Sequence, residues 1–536
     1  MKDPLSVVLL FIFVLQLNQS ESRFQFSLFP NTLNITFGIG KQTRNENNSK
    51  FSKVFFETFN KMQQRDEKDD NQMKPLKRDN EDELQENDIP DNIVAEDIEE
   101  YMRPNEDPII LMSTMTTPQL LALHGYPAES HTIVTDDGYI LTLHRIPYSK
   151  TSNSKISPKK TVLLHHGLFG SSAHWILAGP TKSLGYFLSD AGYDVWLANV
   201  RGNTYSRAHV SKNVDSREFW NFTFHEVSQH DLPAVIDYIM MVKGMDVKIN
   251  YIGHSMGTTI LFALLSTKTE YNRVLKAGFA LAPVAYMTNI KSPLKKLAKH
   301  SNKIEYLLKI LGGGKELLPQ KPILKWLAKA SRKLMNLDEE GVVEDTMSVL
   351  FGRNMHQFNK TLLPLILAQG AAGASTKTLV HYAQEIQQSG RFQMFDYGPM
   401  GNLKEYGTVS PPEYPLHKIT LPIALFSAES DWLSSVVDVS RLQEQLVNPI
   451  EHYTVPLKEF SHADYLWGID APTLVYARLL QLLEEGVSKQ NSNDDVLDTT
   501  KKETFVYRTP TEAPVNLGKV NKKVKFLKNI FKLFQS

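Results

Sequence analysis

The sequence of 536 residues contains no cysteine. Disulfides, thiolate metal sites and cysteine-based redox chemistry are therefore excluded. An excess of basic residues is also missing, since 59 Lys and Arg balance 59 Asp and Glu, so the overall charge does not indicate a nucleic-acid partner. Long apolar runs are missing too: none reaches the roughly 20 residues that a transmembrane helix needs.

The chain begins with an apolar segment that is too short to cross a bilayer. Lys2 precedes an apolar run over residues 5–17, and small polar residues follow around Ser20. This pattern is typical of a secretory signal peptide, which we predict over residues 1–20. On a secretory route, four Asn-x-Ser/Thr sequons become candidate glycosylation sites: Asn34, Asn47, Asn221 and Asn359.

Two terminal segments differ in composition from the rest of the chain. Residues 21–113 are polar and acidic, and they have too few apolar side chains to offset the entropy of ordering. We expect a low-complexity extension or pro-segment there. Residues 487–536 are polar and then basic, with apolar residues on one face of a possible helix. This C-terminal tail would either contact an anionic or lipid surface peripherally or dock on the domain.

Between these segments, short apolar runs alternate with helical patterns. Strand-like residues flank an Asp-Asp-Gly turn at residues 136–138, which indicates a hairpin. Buried parallel strands are predicted for four apolar runs: 161–167, 193–202, 247–255 and 276–283. The alternation predicts the α/β class, with a mostly parallel sheet formed by residues 114–285 and 397–486. Residues 286–396 are lysine-rich and helical in pattern, and we expect them to form an inserted cap.

The stretch GHSMG at residues 253–257 lies between a predicted strand and a predicted helix. A serine on such a sharp turn has a strained backbone, and glycine on both sides avoids clashes with neighbouring strand and helix atoms. G-x-S-x-G alone occurs often by chance, but the strand-turn-helix context is that of a nucleophile elbow. We therefore predict Ser255 as a nucleophile, with Gly253 and Gly257 as the elbow glycines.

A serine hydroxyl needs a base to remove its proton, and the base needs an acid to orient it. His462 follows a predicted strand and precedes the last predicted helix, where this architecture carries its base. Asp431 ends the run 421–431 at the carboxyl edge of the predicted sheet, and it is our candidate for the acid. Asp438, farther along in a predicted helix, and Asp464, two residues after the histidine, are the weaker alternatives.

The same chemistry needs N–H donors that stabilise an oxyanion. The amide of Met256, directly after the nucleophile, is the first candidate. The second is expected in the loop after the strand that begins at residue 161, and the amide of Leu168 is in this position. Because backbone groups act as the donors, the side chains at these two positions are only weakly constrained.

Residues 116–485 contain a set of motifs in consistent order: HHGLFGSSAHW, AGYDVWLANVRGNTYSRAH, YIGHSMGTT, SGRFQMFDYG and FSHADYLWGIDAP. Together they resemble the acid lipase family, which includes gastric, lysosomal and many insect digestive lipases. The resemblance implies an α/β-hydrolase core with a helical cap, a triad of Ser255, Asp431 and His462, and an oxyanion hole at Leu168 and Met256. Family members commonly have glutamine at the position of Met256, and they have cysteines that are missing here.

By this resemblance, the chain is expected to be a secreted or lysosomal lipase or esterase. It would hydrolyse ester bonds of neutral lipids, triacylglycerols or sterol esters, at a lipid-water interface, without a metal or other cofactor. Two alternatives stay open at this point. An acyltransferase would use the same residues, and a non-catalytic lipid carrier would use the same fold.

Overall fold

The computed structural model describes residues 24–27, 34–37, 108–151, 160–292, 295, 315–317, 356–388 and 390–485. The predicted signal peptide, most of the predicted extension with Asn47, the C-terminal tail and residues 293–294, 296–314, 318–355 and 389 of the predicted cap lie outside this part of the chain. The chain divides into two compact units, one of residues 13–90 and one of residues 1–12 and 91–536.

The smaller unit contains a strand pair that the sequence analysis did not predict. Strand β1 (Phe24–Ser27) pairs antiparallel with β2 (Asn34–Phe37), so that Phe24 lies opposite Phe37. Each strand alternates apolar and polar residues, which is the pattern of a strand. Each strand is only four residues long, so its alternation does not stand out within the polar and acidic composition of residues 21–113.

The larger unit is built on one mixed sheet of nine described strands. They are β3 (Glu129–Val134), β4 (Tyr139–Ile146), β5 (Thr161–His165), β6 (Asp194–Leu197), β7 (Ala208–His209), β8 (Ile249–His254), β9 (Leu275–Leu281), β12 (Ile423–Ser427) and β13 (Pro449–Thr454). A separate pair of short strands, β10 (Glu316–Leu317) and β11 (Ala374–Ser375), is antiparallel. The strand order of the sheet is β13-β12-β9-β8-β5-β6-β4-β3, with β7 beside β4.

The described α-helices connect these strands. They are α1 (Pro108–Met112), α2 (Thr117–Leu123), α3 (Leu184–Asp190), α4 (Phe224–Glu226), α5 (Leu232–Lys243), α6 (Met256–Thr267), α7 (Tyr271–Val274), α8 (Leu363–Gln369), α9 (Thr376–Gln387), α10 (Pro399–Tyr406), α11 (Val436–Gln445), α12 (Asp464–Trp467) and α13 (Ala477–Glu485). A π-helical turn (Val227–Asp231) joins α4 to α5, and another (Pro472–Tyr476) precedes α13. In the described part of the chain, no helix has the length and apolar character of a bilayer span.

The predicted α/β class is confirmed. The pairs from β6 through β5, β8, β9 and β12 to β13 are parallel, whereas β3 and β4 form the predicted antiparallel hairpin. Every residue of β5, β6, β8 and β12 is buried, because helices cover both faces of a parallel sheet.

The packed core begins earlier than residue 114, where the sequence analysis placed its start. Helix α1 lies inside the predicted extension 21–113, and its residues Ile109 and Met112 are buried in the core cluster. Residues three apart in a helix share one face, so Ile109 and Met112 both point into the core. The acidic run just before it obscured this spacing.

The sheet topology brings four loops to one edge. Strands β5, β8, β12 and β13 run parallel, so the loops that follow them all leave the sheet at its carboxyl edge. Ligand and catalytic sites of open α/β sheets lie at this edge. The predicted triad and oxyanion residues each follow one of these four strands, β5, β8, β12 or β13.

Candidate active site

Ser255 lies on a strained turn between β8 and α6. Its backbone has φ 53° and ψ −118°, a conformation that residues with a side chain rarely adopt. The Ser255 amide donates to the carbonyl oxygen of Leu281 (3.0 Å), which ties the turn to the neighbouring strand β9. The turn projects this serine from the end of the strand, as a nucleophile elbow requires.

Both glycines of the turn are required by close backbone contacts. A Cβ atom on Gly257 would clash with the carbonyl oxygen of His165 in β5. A Cβ atom on Gly253 would lie 2.8 Å from the carbonyl carbon of Gly257. Neither neighbour is a flexible side chain, so the strand and helix cannot approach this closely with any residue larger than glycine.

The His462 ring contacts both of its predicted partners. Its Nε2 lies 2.9 Å from Ser255 Oγ, and its Nδ1 lies 2.8 Å from Asp431 Oδ2. A carboxylate only accepts hydrogen bonds, so Nδ1 carries the proton and Nε2 is the free acceptor for the serine hydroxyl. Both residues are almost fully buried, since His462 is 3% and Asp431 is 1% exposed. The arrangement can therefore remove a proton from Ser255.

Asp431 is held by the loop that follows β12. It lies four residues after the end of that strand, instead of on the strand as the sequence analysis expected. Its Oδ1 accepts hydrogen bonds from the amides of Leu433 and Ser434, both at 2.8 Å. A carboxylate that bonds the amide two residues later forms an Asx turn, and here the turn aims Oδ2 at the histidine.

The structure does not bring the alternative acids to His462. Asp438 accepts hydrogen bonds from the amide (2.7 Å) and side chain (2.8 Å) of Asn289. Asp464 accepts one from the amide of Ser461 (2.7 Å) at the start of the short helix α12. Both carboxylates therefore bond groups other than the His462 ring.

The candidate oxyanion donors belong to segments next to Ser255. Met256 is the first residue of α6 and is buried. Gly167 packs against the serine, since an added Cβ atom would lie 3.0 Å from Ser255 Cβ. Leu168 follows it in a turn in which Phe169 has φ 61°. Two backbone amides next to a serine hydroxyl can both donate to an oxygen that develops charge beside it.

Burial disfavours the charged form of the two histidines next to this loop. Burial lowers the pKa of His165 to about 4, and burial together with the neighbouring His165 holds the pKa of His166 well below its usual range. His166 Nδ1 donates to the carbonyl oxygen of Gly167 (2.8 Å), and its Nε2 accepts from the amide of Val200 (3.3 Å). This side chain therefore orients the peptide just before Leu168.

Sequence reasoning missed the groups that hold the acid and the base. The amides of Leu433 and Ser434 could have been inferred from Asp431 as an Asx turn. His254, inside the GHSMG motif, has no predicted role, yet its Nε2 lies 2.9 Å from the carbonyl oxygen of His462. That contact joins residues 208 positions apart, so no local pattern indicates it.

One group of described residues has the spacing of a metal site, consisting of Asp136, Asp137 and His230. Both carboxylate oxygens of Asp137 bond the guanidinium of Arg201 (2.6 and 2.9 Å), and His230 Nδ1 bonds Asp136 (2.7 Å). The potential ligand atoms of this group are therefore already hydrogen-bonded to Arg201 or to one another, at a hairpin turn.

Three candidate glycosylation sites fall on described residues. Asn221 is exposed, just before the helix cap Thr223. Asn359 is half-buried, and its Oδ1 accepts from the amide and hydroxyl of Thr361 in its own sequon. Asn34 is the first residue of β2.

Comparison with known proteins finds two matching family models. Residues 117–179 match the partial alpha/beta-hydrolase lipase region, and residues 160–296 match the alpha/beta hydrolase fold. The chain is 38% identical to the gastric triacylglycerol lipase of Bos taurus and 36% identical to the lysosomal acid lipase/cholesteryl ester hydrolase of Homo sapiens. It is also 38% identical to Lipase lipl-1 of Caenorhabditis elegans. Each match covers 70% of this chain and 92% of the relative.

Proposed function

Because this chain belongs to the family of gastric and lysosomal acid lipases, we propose that it hydrolyses neutral lipid esters with a triad of Ser255, His462 and Asp431. Family membership makes the protein a carboxylic ester hydrolase. The names of the bovine and human relatives point to triacylglycerols and sterol esters as the substrate classes. The observation that carries the catalytic assignment is the His462 ring, which bonds Ser255 on one side and Asp431 on the other.

The first half of the proposed reaction forms an acyl-enzyme. Ser255 Oγ attacks the ester carbonyl carbon while its proton passes to His462 Nε2. Asp431 stays ionised and stabilises the imidazolium through its hydrogen bond to Nδ1. The amides of Leu168 and Met256 stabilise the negative charge on the carbonyl oxygen. His462 then protonates the alcohol as it leaves.

The second half releases the acyl chain. A water molecule gives a proton to His462 Nε2 and attacks the acyl-enzyme, so that a second oxyanion forms between the same two amides. Collapse of this intermediate frees the carboxylic acid and returns the proton to Ser255. All proton transfers use one nitrogen, because Asp431 keeps the other one protonated.

We further propose where the protein acts and which segments lie around the core. A signal peptide over residues 1–20 and relatives named for the stomach and the lysosome support a secreted or lysosomal location. Residues 286–396 are proposed as a cap that excludes water from the acyl-enzyme. The basic C-terminal tail, residues 487–536, is proposed as a peripheral contact to anionic or lipid surfaces.

The test compares ester hydrolysis by the full chain and by its Ser255→Ala variant. We expect the variant to lose at least about 10⁴-fold in kcat on short-chain and long-chain esters, because no other group supplies the nucleophile. Ser266→Ala is the matched control, since Ser266 is also buried on α6 and, among the described residues, its hydroxyl bonds the carbonyl oxygen of Ala263 alone (3.1 Å). Product at equal rates from wild type and Ser255→Ala would remove this serine from the mechanism.

A further inference from the structure

His254 links the strand that carries the nucleophile to the loop that carries the base. It is the last residue of β8 and directly precedes Ser255. Its Nε2 lies 2.9 Å from the backbone carbonyl oxygen of His462, and the two ring centroids are 4.9 Å apart. The contact is buried, with His254 4% exposed. We propose that His254 is a positioning residue, which holds the backbone of His462 at the distance from Ser255 that proton transfer needs.

The hydrogen bond defines the tautomer of His254. A carbonyl oxygen only accepts, so Nε2 must carry the proton and Nδ1 is the bare nitrogen. Nδ1 is buried and has no hydrogen-bond partner among the described residues. It faces Gly167, where an added Cβ atom would lie 3.3 Å away. A second proton on this ring would have no acceptor.

The ring is therefore a neutral donor. Burial, and then the neighbouring His462, hold the pKa of His254 well below its usual range. This property suits the position, because His462 becomes an imidazolium during the reaction and a second positive charge 4.9 Å away would oppose that. A lysine or arginine could donate the same hydrogen bond but would bring that charge.

The bond matters because the base stands on a loop. His462 lies between β13 and α12, and its ring must keep two hydrogen bonds, to Ser255 and to Asp431. Its carbonyl oxygen is bonded to the residue next to the nucleophile, so movement of the loop relative to β8 would stretch this contact. Misplacement of a catalytic group by about 1 Å lowers a rate by about 10²-fold. This inference rests on the proposed function, since it assumes that His462 is the base.

Two variants of similar length separate a donor from a packing role. His254→Gln keeps an N–H that can reach the His462 carbonyl oxygen, whereas His254→Met fills a similar volume without a donor. We expect kcat of the Met variant to fall about tenfold or more, since that factor equals one lost hydrogen bond of ordinary strength, with KM unchanged. The Gln variant should stay within about threefold of wild type.

Stability measurements make the comparison decisive. If His254 only fills space, the apolar Met variant should be at least as active as the Gln variant, which buries an extra polar acceptor. A higher kcat for Gln than for Met, at a Tm that is no higher, therefore supports positioning. Equal loss in both variants, or a Met variant within about twofold of wild type, overturns the proposal.

His131 offers the control. It is also a buried histidine, 3% exposed, and its ring bonds the hydroxyl of Tyr238 (Nδ1, 3.0 Å) and the carboxylate of Glu129 (Nε2, 3.0 Å). It lies on β3, at the end of the described sheet, and makes no described contact with the triad. We expect His131→Gln and His131→Met to have the same kcat as each other. Ser255→Ala in the same assay tests the proposed function separately: if that variant is inactive while His254→Met is fully active, only the positioning role fails.

Discussion

Replacing Asp431 by asparagine should trap His462 in the wrong tautomer. The two amides of Leu433 and Ser434 donate to Oδ1, so the amide oxygen of an asparagine must occupy that place. Its NH₂ group then takes the place of Oδ2, 2.8 Å from His462 Nδ1. There it donates, so Nδ1 becomes the acceptor and Nε2 carries the proton. Oδ1 also lies 3.0 Å from Nδ1, but it already accepts the two amide hydrogen bonds. A protonated Nε2 facing the Ser255 hydroxyl cannot act as a base.

The size of the effect follows from this geometry. Asparagine and aspartate have the same shape, so the fold and substrate binding should be kept while the base is lost. A triad with the wrong tautomer loses about 10⁴ in kcat, which corresponds to about 5.5 kcal/mol of transition-state stabilisation. KM for a short-chain ester should change little, because the missing interaction belongs to the transition state.

The assay measures initial rates of Asp431→Asn on a soluble short-chain ester, with Tm recorded to show that the variant is folded. Asp438→Asn is the control, since Asp438 bonds Asn289 and does not reach His462. We expect the control to keep kcat within about twofold of wild type, because the hydrogen bonds that it alters go to Asn289 and not to the triad. Asp438 is buried, so Tm is recorded for the control as well. An Asp431→Asn variant with more than a tenth of the wild-type kcat would refute the tautomer argument.

Two further predictions concern stability. Gly257→Ala places a methyl group against the carbonyl oxygen of His165, so we expect a loss of about 3 kcal/mol in the free energy of unfolding, measured by urea titration, together with loss of activity. An unchanged urea midpoint would contradict the close contact. Burial lowers the pKa of His144 to about 3, so the folded ring resists a proton that the unfolded chain accepts below about pH 6.5. The free energy of unfolding should therefore fall by about 2 kcal/mol between about pH 6.5 and 4.5 because of His144. The His144→Asn variant should show a smaller fall over that range, and equal pH dependence of unfolding in wild type and variant would contradict this prediction.

Features that depend on neighbouring residues could be predicted from the sequence. The strands β5, β8, β9 and β12 are continuous apolar runs, and the hairpin around residues 136–138 has strand-like residues on both sides of a turn. These patterns lie within short segments and can be identified without knowledge of the rest of the fold. The GHSMG stretch was placed between strand and helix by the same reasoning, and the structure has Ser255 on the turn between β8 and α6. Helix α1 and the β1-β2 pair were missed because their few apolar residues lie within a polar, acidic stretch.

The sequence by itself determined the α/β class, the turn that exposes Ser255 and the family to which the chain belongs, because these follow from periodicity and short motifs. Only the tertiary structure decided which of three nearby aspartates reaches His462, since Asp431, Asp438 and Asp464 differ in contacts made across the fold. It also decided that His254 bonds the histidine loop 208 residues away. The physical reason is that hydrogen bonds between loops depend on how the strands are ordered in the sheet, and strand order is a property of the whole chain.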